Sequence, residues 1–119
     1  MRREMELKMD TFVPVNVDDA SFDSVVIKSG MPVAVEFWSP KCMYCMKMAK
    51  VLDDLAKEFY GRALVVKVNV DENPRTQARF GVTGVPVFIL FKFGRILGQT
   101  SGAMPKGKLK TALGMDIYV

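Results

Sequence analysis

The feature that most constrains the fold is an apolar run that passes directly into a helical pattern. Residues 32–38 (Pro-Val-Ala-Val-Glu-Phe-Trp) are apolar at every position but one. A short run that is apolar on both faces is typical of a central strand in a parallel sheet. In segment 43–60 the apolar residues instead recur at helical spacing. A buried strand followed by an amphipathic helix predicts an α/β chain.

Both cysteines of the chain lie at this strand-to-helix junction. Cys42 and Cys45 are three residues apart. The free N–H groups at the start of a helix, together with the helix dipole, stabilise a thiolate. A second thiol one turn along the same helix can close a disulfide with the first. The pattern indicates a redox-active dithiol, and a structural or inert pair is the alternative.

The rest of the chain alternates strands and helices over a length suited to one domain. We expect residues 1–11 to be a loosely ordered lead-in and residues 12–119 to form the domain. Strands are predicted over 13–17, 32–38 and 63–70, and a hairpin over 86–93 and 95–100. Helices are predicted over 21–29 (with Asp18-Asp19 as N-cap), 43–60, 74–80 and 105–113. This order predicts a mixed central sheet flanked by helices on both faces.

The basic residues do not form a nucleic-acid-binding pattern. The chain has 17 Lys and Arg against 13 Asp and Glu, a net charge of +4. Its densest lysines, Lys106, Lys108 and Lys110, are not interleaved with aromatic residues. We interpret them as the solvated face of a terminal helix and expect no nucleic-acid partner.

No segment has the pattern of a membrane span or of a secretory signal. No apolar run approaches the about 20 residues that cross a bilayer. The start, Met1-Arg2-Arg3-Glu4-Met5-Glu6, lacks the apolar core of a signal peptide. A single cysteine pair also differs from the several disulfides of small secreted domains. We therefore expect a cytoplasmic protein that does not act at a membrane.

The residue types available do not favour a resident metal. Histidine is absent, and two cysteines supply only half of a tetrahedral thiolate site. Two copies of the chain could pool their thiolates around zinc or an iron–sulfur cluster, which is the alternative. We expect no metal and no other cofactor.

Several motifs, at matching distances from one another, resemble the thioredoxin family. They are Phe37-Trp38 before the cysteine pair, Val70-Asp71-x-Asn73-Pro74, Gly84-Val85-Pro86 and Phe91-Lys92-x-Gly94. The similarity runs from about residue 12 to residue 113. It implies the thioredoxin fold and a monomeric thiol–disulfide oxidoreductase that reduces disulfides in client proteins. It also implies a separate thioredoxin-reductase-like electron donor, because the chain has no GxGxxG or flavin motif of its own.

The resemblance assigns roles to four residues of the reaction. Cys42 matches the nucleophile, and Cys45 matches the thiol that resolves the mixed disulfide. Glu36 matches the buried acid, usually aspartate, that relays protons to the resolving cysteine, and Lys67 matches the lysine beside it. From the residues alone, burial of Glu36 in an apolar strand predicts a raised pKa. A structural ion pair with Lys67 is the alternative.

The resemblance also places client contacts around the dithiol. Pro86 matches a cis-proline, and the loops containing Gly84-Val85-Pro86 and Gly102 are expected to flank the cysteines and to pair with an extended client segment. Trp38 matches the tryptophan under the active-site loop, and Tyr44 is expected to be exposed. The complete set of predicted client-binding residues is Trp38, Lys41, Met43, Tyr44, Gly84, Val85, Pro86 and Gly102.

Four positions depart from the family pattern. Met43-Tyr44 replaces Gly-Pro, Lys41 replaces a tryptophan, Lys50 replaces a helix-kinking proline, and Glu36 is longer than aspartate. These departures bear on redox potential and on the choice of partner. Two other functions therefore remain open: a disulfide oxidase or isomerase, and a thioredoxin-fold binding module whose dithiol is not catalytic.

Overall fold

The computed structural model describes residues 12–119, so the lead-in predicted over residues 1–11 lies outside the described residues. Within this part of the chain, strands and helices alternate in the predicted order. They are β1 (Val15–Asn16), α1 (Asp23–Ile27), β2 (Val33–Trp38), α2 (Met43–Lys47), α3 (Ala49–Glu58), β3 (Leu64–Asn69), α4 (Pro74–Arg79), β4 (Val87–Lys92), β5 (Arg95–Ser101), α5 (Lys106–Leu113) and α6 (Met115–Tyr118). No helix among residues 12–119 is long and apolar enough to cross a bilayer.

The strands form the predicted mixed sheet, in the order β1-β3-β2-β4-β5. The central strand β2 is parallel to β3 and antiparallel to β4, with Glu36 opposite Lys67 on one side and opposite Phe88 on the other. The carboxyl ends of β2 and β3 therefore meet the amino end of β4 at one edge of the sheet. The cysteine pair follows β2 at this edge.

Helices cover both faces of the sheet, as predicted. One face of β2, which carries Val33, Val35 and Phe37, packs against the core that includes α1. The opposite face carries Ala34 and Glu36 and lies on the side of α3 and α5. Glu36 is thus directed into the same layer as the helix that follows the dithiol.

The helix predicted over residues 43–60 is two helices, and this part of the prediction was wrong. The break is at Met48, whose N–H donates to the carbonyl of Cys45 three residues back. The Met48 side chain is buried, and its Sδ accepts the N–H of Met104 at 3.4 Å. Lys50 lies just beyond the break, so the helix is interrupted without a proline. The interruption coincides with a contact between segments 56 residues apart.

The first strand and first helix are shorter than predicted. The strand expected over 13–17 comprises only Val15–Asn16, and the helix expected over 21–29 comprises Asp23–Ile27 with a wide π turn. Asp18 caps a separate turn before the helix by accepting the N–H of Ser21 at 2.9 Å. Asp19 instead caps α4, since its Oδ1 accepts the N–H of Thr76 at 2.8 Å. Neither carboxylate caps α1, which begins without a side-chain cap, so the predicted N-cap of this helix was wrong.

The lysines of the terminal helix are only partly a solvated face. Lys106 and Lys110 both form ion pairs with Glu58 at the end of α3, at 2.8 Å and 2.6 Å. Lys108 is exposed. Two of the three lysines therefore link α5 to α3 through the Glu58 carboxylate.

Gly98 in β5 permits a close approach to the end of α5. A Cβ placed there would lie 2.7 Å from the carbonyl carbon and 3.0 Å from the Cα of Leu113. Gly98→Ala is therefore expected to lower the free energy of unfolding by about 2 kcal/mol, measured by urea unfolding. The same replacement at Gly107, where a Cβ meets nothing within 4 Å, should leave stability unchanged or raise it slightly. Equal stability of Gly98→Ala and the parent would contradict the close packing of β5 on α5.

Candidate active site

The two cysteines occupy unequal positions at the start of α2. Cys42 is the N-cap residue, with extended backbone (φ −94°, ψ 111°), and its Sγ accepts the N–H of Cys45 at 3.1 Å. The two Cα atoms are 5.2 Å apart and the sulfurs are at disulfide distance. Cys42 is partly exposed, whereas Cys45 is 3% exposed. Solvent can therefore reach the side chain of Cys42, whereas that of Cys45 is enclosed.

The loop before β4 faces the exposed cysteine. The Val85–Pro86 peptide bond is cis, and the carbonyl oxygen of Val85 lies 3.7 Å from the Sγ of Cys42. The carbonyl of Pro86 accepts the N–H of Gly102 at 3.0 Å. Within residues 12–119 the N–H of Val85 donates no hydrogen bond. One backbone donor near the Sγ of Cys42 is thus left without a partner among the described residues.

A groove of about 660 Å³ extends from this loop along the end of β5. It is lined by residues 81–87 and 99–102, and so brings together four of the predicted client-binding residues, Gly84, Val85, Pro86 and Gly102. Their clustering follows from the antiparallel pairing of β4 with β5, which places Val87 opposite Ser101.

The other predicted client-binding residues do not line this groove. Met43 and Tyr44 are 71% and 61% exposed on the first turn of α2, and Lys41 is exposed beside them. The ammonium of Lys47 lies 5.3 Å from the centre of the Tyr44 ring. These side chains form a separate apolar and cationic rim, defined here as Lys41, Met43, Tyr44 and Lys47.

Glu36 is a buried carboxyl on β2, the strand that leads to the cysteines. It is 2% exposed, and its Oε2 has no hydrogen-bond partner among the described residues. Burial raises the pKa of Glu36 to about 7, an effect that the positive charge of Lys67 partly offsets. The predicted direction of this shift is confirmed. A carboxyl with this pKa can accept or release a proton near neutral pH.

The alternative of a contact ion pair between Glu36 and Lys67 is wrong. The two residues are opposite each other in the sheet, but among the described residues no salt bridge joins them. The Lys67 ammonium lies instead 4.5 Å from the centre of the Trp38 ring. Lys67 and Trp38 also line a cleft of about 380 Å³. There the lysine keeps contact with water and with the face of the indole, which favours it over burial beside the carboxyl.

Ser39 and Asp71 also belong to the site, although no role is predicted for them from the sequence. The Ser39 hydroxyl donates to the Asp71 carboxylate at 2.7 Å and accepts the N–H of Lys41 at 3.2 Å. The order Ser39-Pro40 is a local signal for the turn that follows β2, because serine and proline favour the first two positions of a β-turn. The partner Asp71, 32 residues away, has no such local signal.

Among residues 12–119, no group of three or more Cys, Asp or Glu side chains could hold a metal ion. The cysteine segment instead contacts backbone amides and carbonyls and the Ser39 hydroxyl, and the Glu36 carboxyl lies on the strand that precedes it. They can stabilise a thiolate, move a proton and hold an extended peptide.

The sequence is similar to known thioredoxins over almost its whole length. The thioredoxin family model matches residues 13–114. A thioredoxin of Haemophilus influenzae is 42% identical over 103 residues, which cover 87% of this chain and 96% of the relative. A Pseudomonas aeruginosa thioredoxin is 41% identical over 103 residues (87% and 95%), and a Synechocystis thioredoxin is 40% identical over 97 residues (82% and 91%).

Proposed function

Because the chain belongs to the thioredoxin family and is a thiol–disulfide oxidoreductase with protein-disulfide reductase activity, we propose that Cys42 is its nucleophile and Cys45 its resolving thiol. The observation that carries this assignment is the unequal exposure of the two sulfurs. Cys42 is partly exposed at the start of α2, whereas Cys45 is buried one turn further along. Only the exposed thiol can make the first bond to a protein client.

The reaction begins when the Cys42 thiolate attacks one sulfur of a client disulfide. A mixed disulfide forms, and the other client sulfur leaves as a thiolate. The Cys45 thiolate then attacks the Sγ of Cys42, the second client sulfur leaves, and the Cys42–Cys45 disulfide forms. Two electrons have passed to the client. The Cys45 N–H and the helix dipole stabilise the Cys42 thiolate before it attacks the client disulfide.

Glu36 is proposed to take the proton of Cys45 before that thiol attacks. Its side chain is directed into the layer that holds the helices after the dithiol, and burial raises its pKa to about 7. A base is most useful when its pKa lies near the working pH. The positive charge of Lys67 partly offsets the rise in the pKa of Glu36. Because the Lys67 ammonium lies at the Trp38 ring, it does not form an ion pair with the carboxyl.

A client segment is proposed to lie in the groove at Gly84–Pro86 and to pair with the free N–H of Val85, as in strand addition. The rim of Lys41, Met43, Tyr44 and Lys47 would contact the client on the opposite side of Cys42. Its exposed apolar area and two lysines favour client segments that carry apolar and acidic side chains. Trp38, whose ring contacts the Lys67 ammonium, is proposed to support the site from beneath.

The oxidised protein needs an external source of electrons after each turnover. We propose a separate thioredoxin-reductase-like donor, action as a monomer, and a cytoplasmic location. A reduced dithiol persists most readily where the surrounding thiol pool is itself reducing, which supports that location.

The reduction potential of the Cys42–Cys45 pair tests the direction of the reaction. We expect about −270 mV, the value known for thioredoxin itself, measured by equilibration in graded thiol–disulfide buffers followed by acid trapping. A value near the about −120 mV of strong disulfide oxidants would instead make the chain an oxidase or isomerase. If no disulfide formed in any buffer, the dithiol would be non-catalytic and the binding-module alternative would apply.

A further inference from the structure

The loop that carries Cys42 is held by one buried side chain. Ser39 is 7% exposed and follows directly after β2. Its carbonyl accepts the N–H of Cys42 at 3.0 Å, and its hydroxyl accepts the N–H of Lys41 at 3.2 Å. Residues 39–42 therefore form a β-turn in which Ser39 accepts two of the backbone N–H groups.

The hydroxyl of this serine is itself fixed by a charge. It donates to the Asp71 carboxylate at 2.7 Å, a distance typical of a strong, charge-assisted hydrogen bond. Asp71 lies just after β3, and the neighbouring N–H of Val70 donates to the carbonyl of Trp38 at 2.8 Å. The turn is thus attached to the parallel strand β3 as well as to β2.

We propose that Ser39 and Asp71 are positioning residues that hold the Sγ of Cys42 at the start of α2. Neither touches the reacting sulfur. They act through the Ser39–Cys42 turn, which sets where Sγ lies relative to the N–H of Cys45, 3.1 Å away, and to the carbonyl of Val85, 3.7 Å away. A looser turn moves the sulfur away from the amide that stabilises its thiolate, and so reduces the thiolate present at a given pH. The role rests on the proposed function in one respect, that Cys42 is the attacking thiol.

The experiment is alkylation of the reduced protein with iodoacetamide across a range of pH, with peptide mass spectrometry to identify the modified cysteine. Ser39→Ala is expected to slow alkylation of Cys42 about tenfold at neutral pH. The midpoint of the increase in alkylation rate with pH should shift upwards by about one pH unit. Asp71→Asn keeps an acceptor oxygen but loses the charge, and should slow alkylation about threefold. Ser39→Thr keeps the hydroxyl and should stay within about twofold of the parent.

Two comparisons separate positioning from a general loss of stability. The double variant Ser39→Ala/Asp71→Asn should be no slower than Ser39→Ala, because Ser39→Ala already removes the hydrogen bond that Asp71→Asn only weakens. Ser24→Ala is the matched control, since this exposed serine on α1 also donates its hydroxyl, to the carbonyl of Ser21 at 3.0 Å. Unfolding in urea, measured in parallel, reports stability. A purely structural serine would lower stability without moving the pH profile.

A pH profile for Ser39→Ala that coincides with the parent's would overturn the positioning role. If Ser39→Ala did not fold, the nearly isosteric Asp71→Asn would decide by the same criterion. Alkylation of Cys45 rather than Cys42 in the parent would contradict the proposed function itself. If Cys42 were the cysteine modified but its alkylation rate were the same in the parent and in all variants, only the positioning role would be overturned.

Discussion

Replacing Cys42 by serine should lower the rate of protein-disulfide reduction by ~1000-fold or more, because a hydroxyl is not ionised at neutral pH and cannot attack a disulfide. Cys45→Ser should also stop turnover, but by a different route. Its intact Cys42 still attacks the client and forms a mixed disulfide that no second thiol resolves. The measurement is reduction of a disulfide-bonded protein with a chemical electron donor held constant, followed by non-reducing electrophoresis.

The two variants are each other's control, since both replace one sulfur of the same pair. Cys45→Ser should accumulate client adducts that thiols release, whereas Cys42→Ser should accumulate none. The opposite distribution of adducts would reverse the assigned roles, and turnover by Cys42→Ser at the parental rate would refute the mechanism. In the trapped complex, backbone resonances of Val85 and ring resonances of Tyr44 should shift if the groove and the rim contact the client.

Replacing Glu36 by glutamine should remove a pH dependence of stability that spans about 3 kcal/mol. The pKa of Glu36 in the folded protein is about 7 and its ordinary value is 4.5. Between these values the native state binds more protons than the unfolded chain, so stability falls as pH rises through this window. At about 1.4 kcal/mol per pKa unit, this difference in pKa corresponds to about 3 kcal/mol of stability. The decrease in stability is complete above about pH 7. Urea unfolding of the oxidised proteins from pH 4 to pH 8 measures it.

Between pH 4.5 and pH 7, the free energy of unfolding of the parent should decrease relative to that of Glu36→Gln. Outside that range the two pH curves should run parallel. Glu72→Gln makes the same chemical change at an exposed carboxylate and should leave the parental slope intact. Parallel curves for the parent and Glu36→Gln would mean that the buried carboxyl does not titrate in this range. A pH–rate profile of reduction that Glu36→Gln left unchanged would separately exclude the proton relay.

Local pattern predicted most of the elements that position the site. Apolar runs identified β2 and β3. The hairpin of β4 and β5 turns at Phe93-Gly94, both with positive φ, as a two-residue turn of type I′ requires. The left-handed Gly114 ends α5 as predicted. Such signals lie within a few residues of the structure that they specify. The thioredoxin-like spacing of the motifs then implied the thioredoxin fold.

Errors arose where a distant contact overrides a local preference. The apolar stripe of residues 43–60 is continuous, but the helix is interrupted where Met48 meets Met104. Asp19 has the pattern of a cap for the next helix, yet it caps α4, 57 residues ahead. Lys67 was a candidate ion-pair partner for Glu36 because the two charges stand alone in apolar strands. The flexible lysine stem instead carries its ammonium to Trp38.

The sequence by itself determined the chemistry of this protein: two thiols one helical turn apart at the end of a buried strand, and one acid within that strand. These properties depend on spacing along a single element, which residue order specifies directly. Only the tertiary structure decided which sulfur is accessible, that Val85 faces Cys42, and that Asp71 holds Ser39. Those contacts join segments 32 to 43 residues apart. They exist because the strand order brings the ends of β2, β3 and β4 to one edge, and side-chain packing then sets the distances.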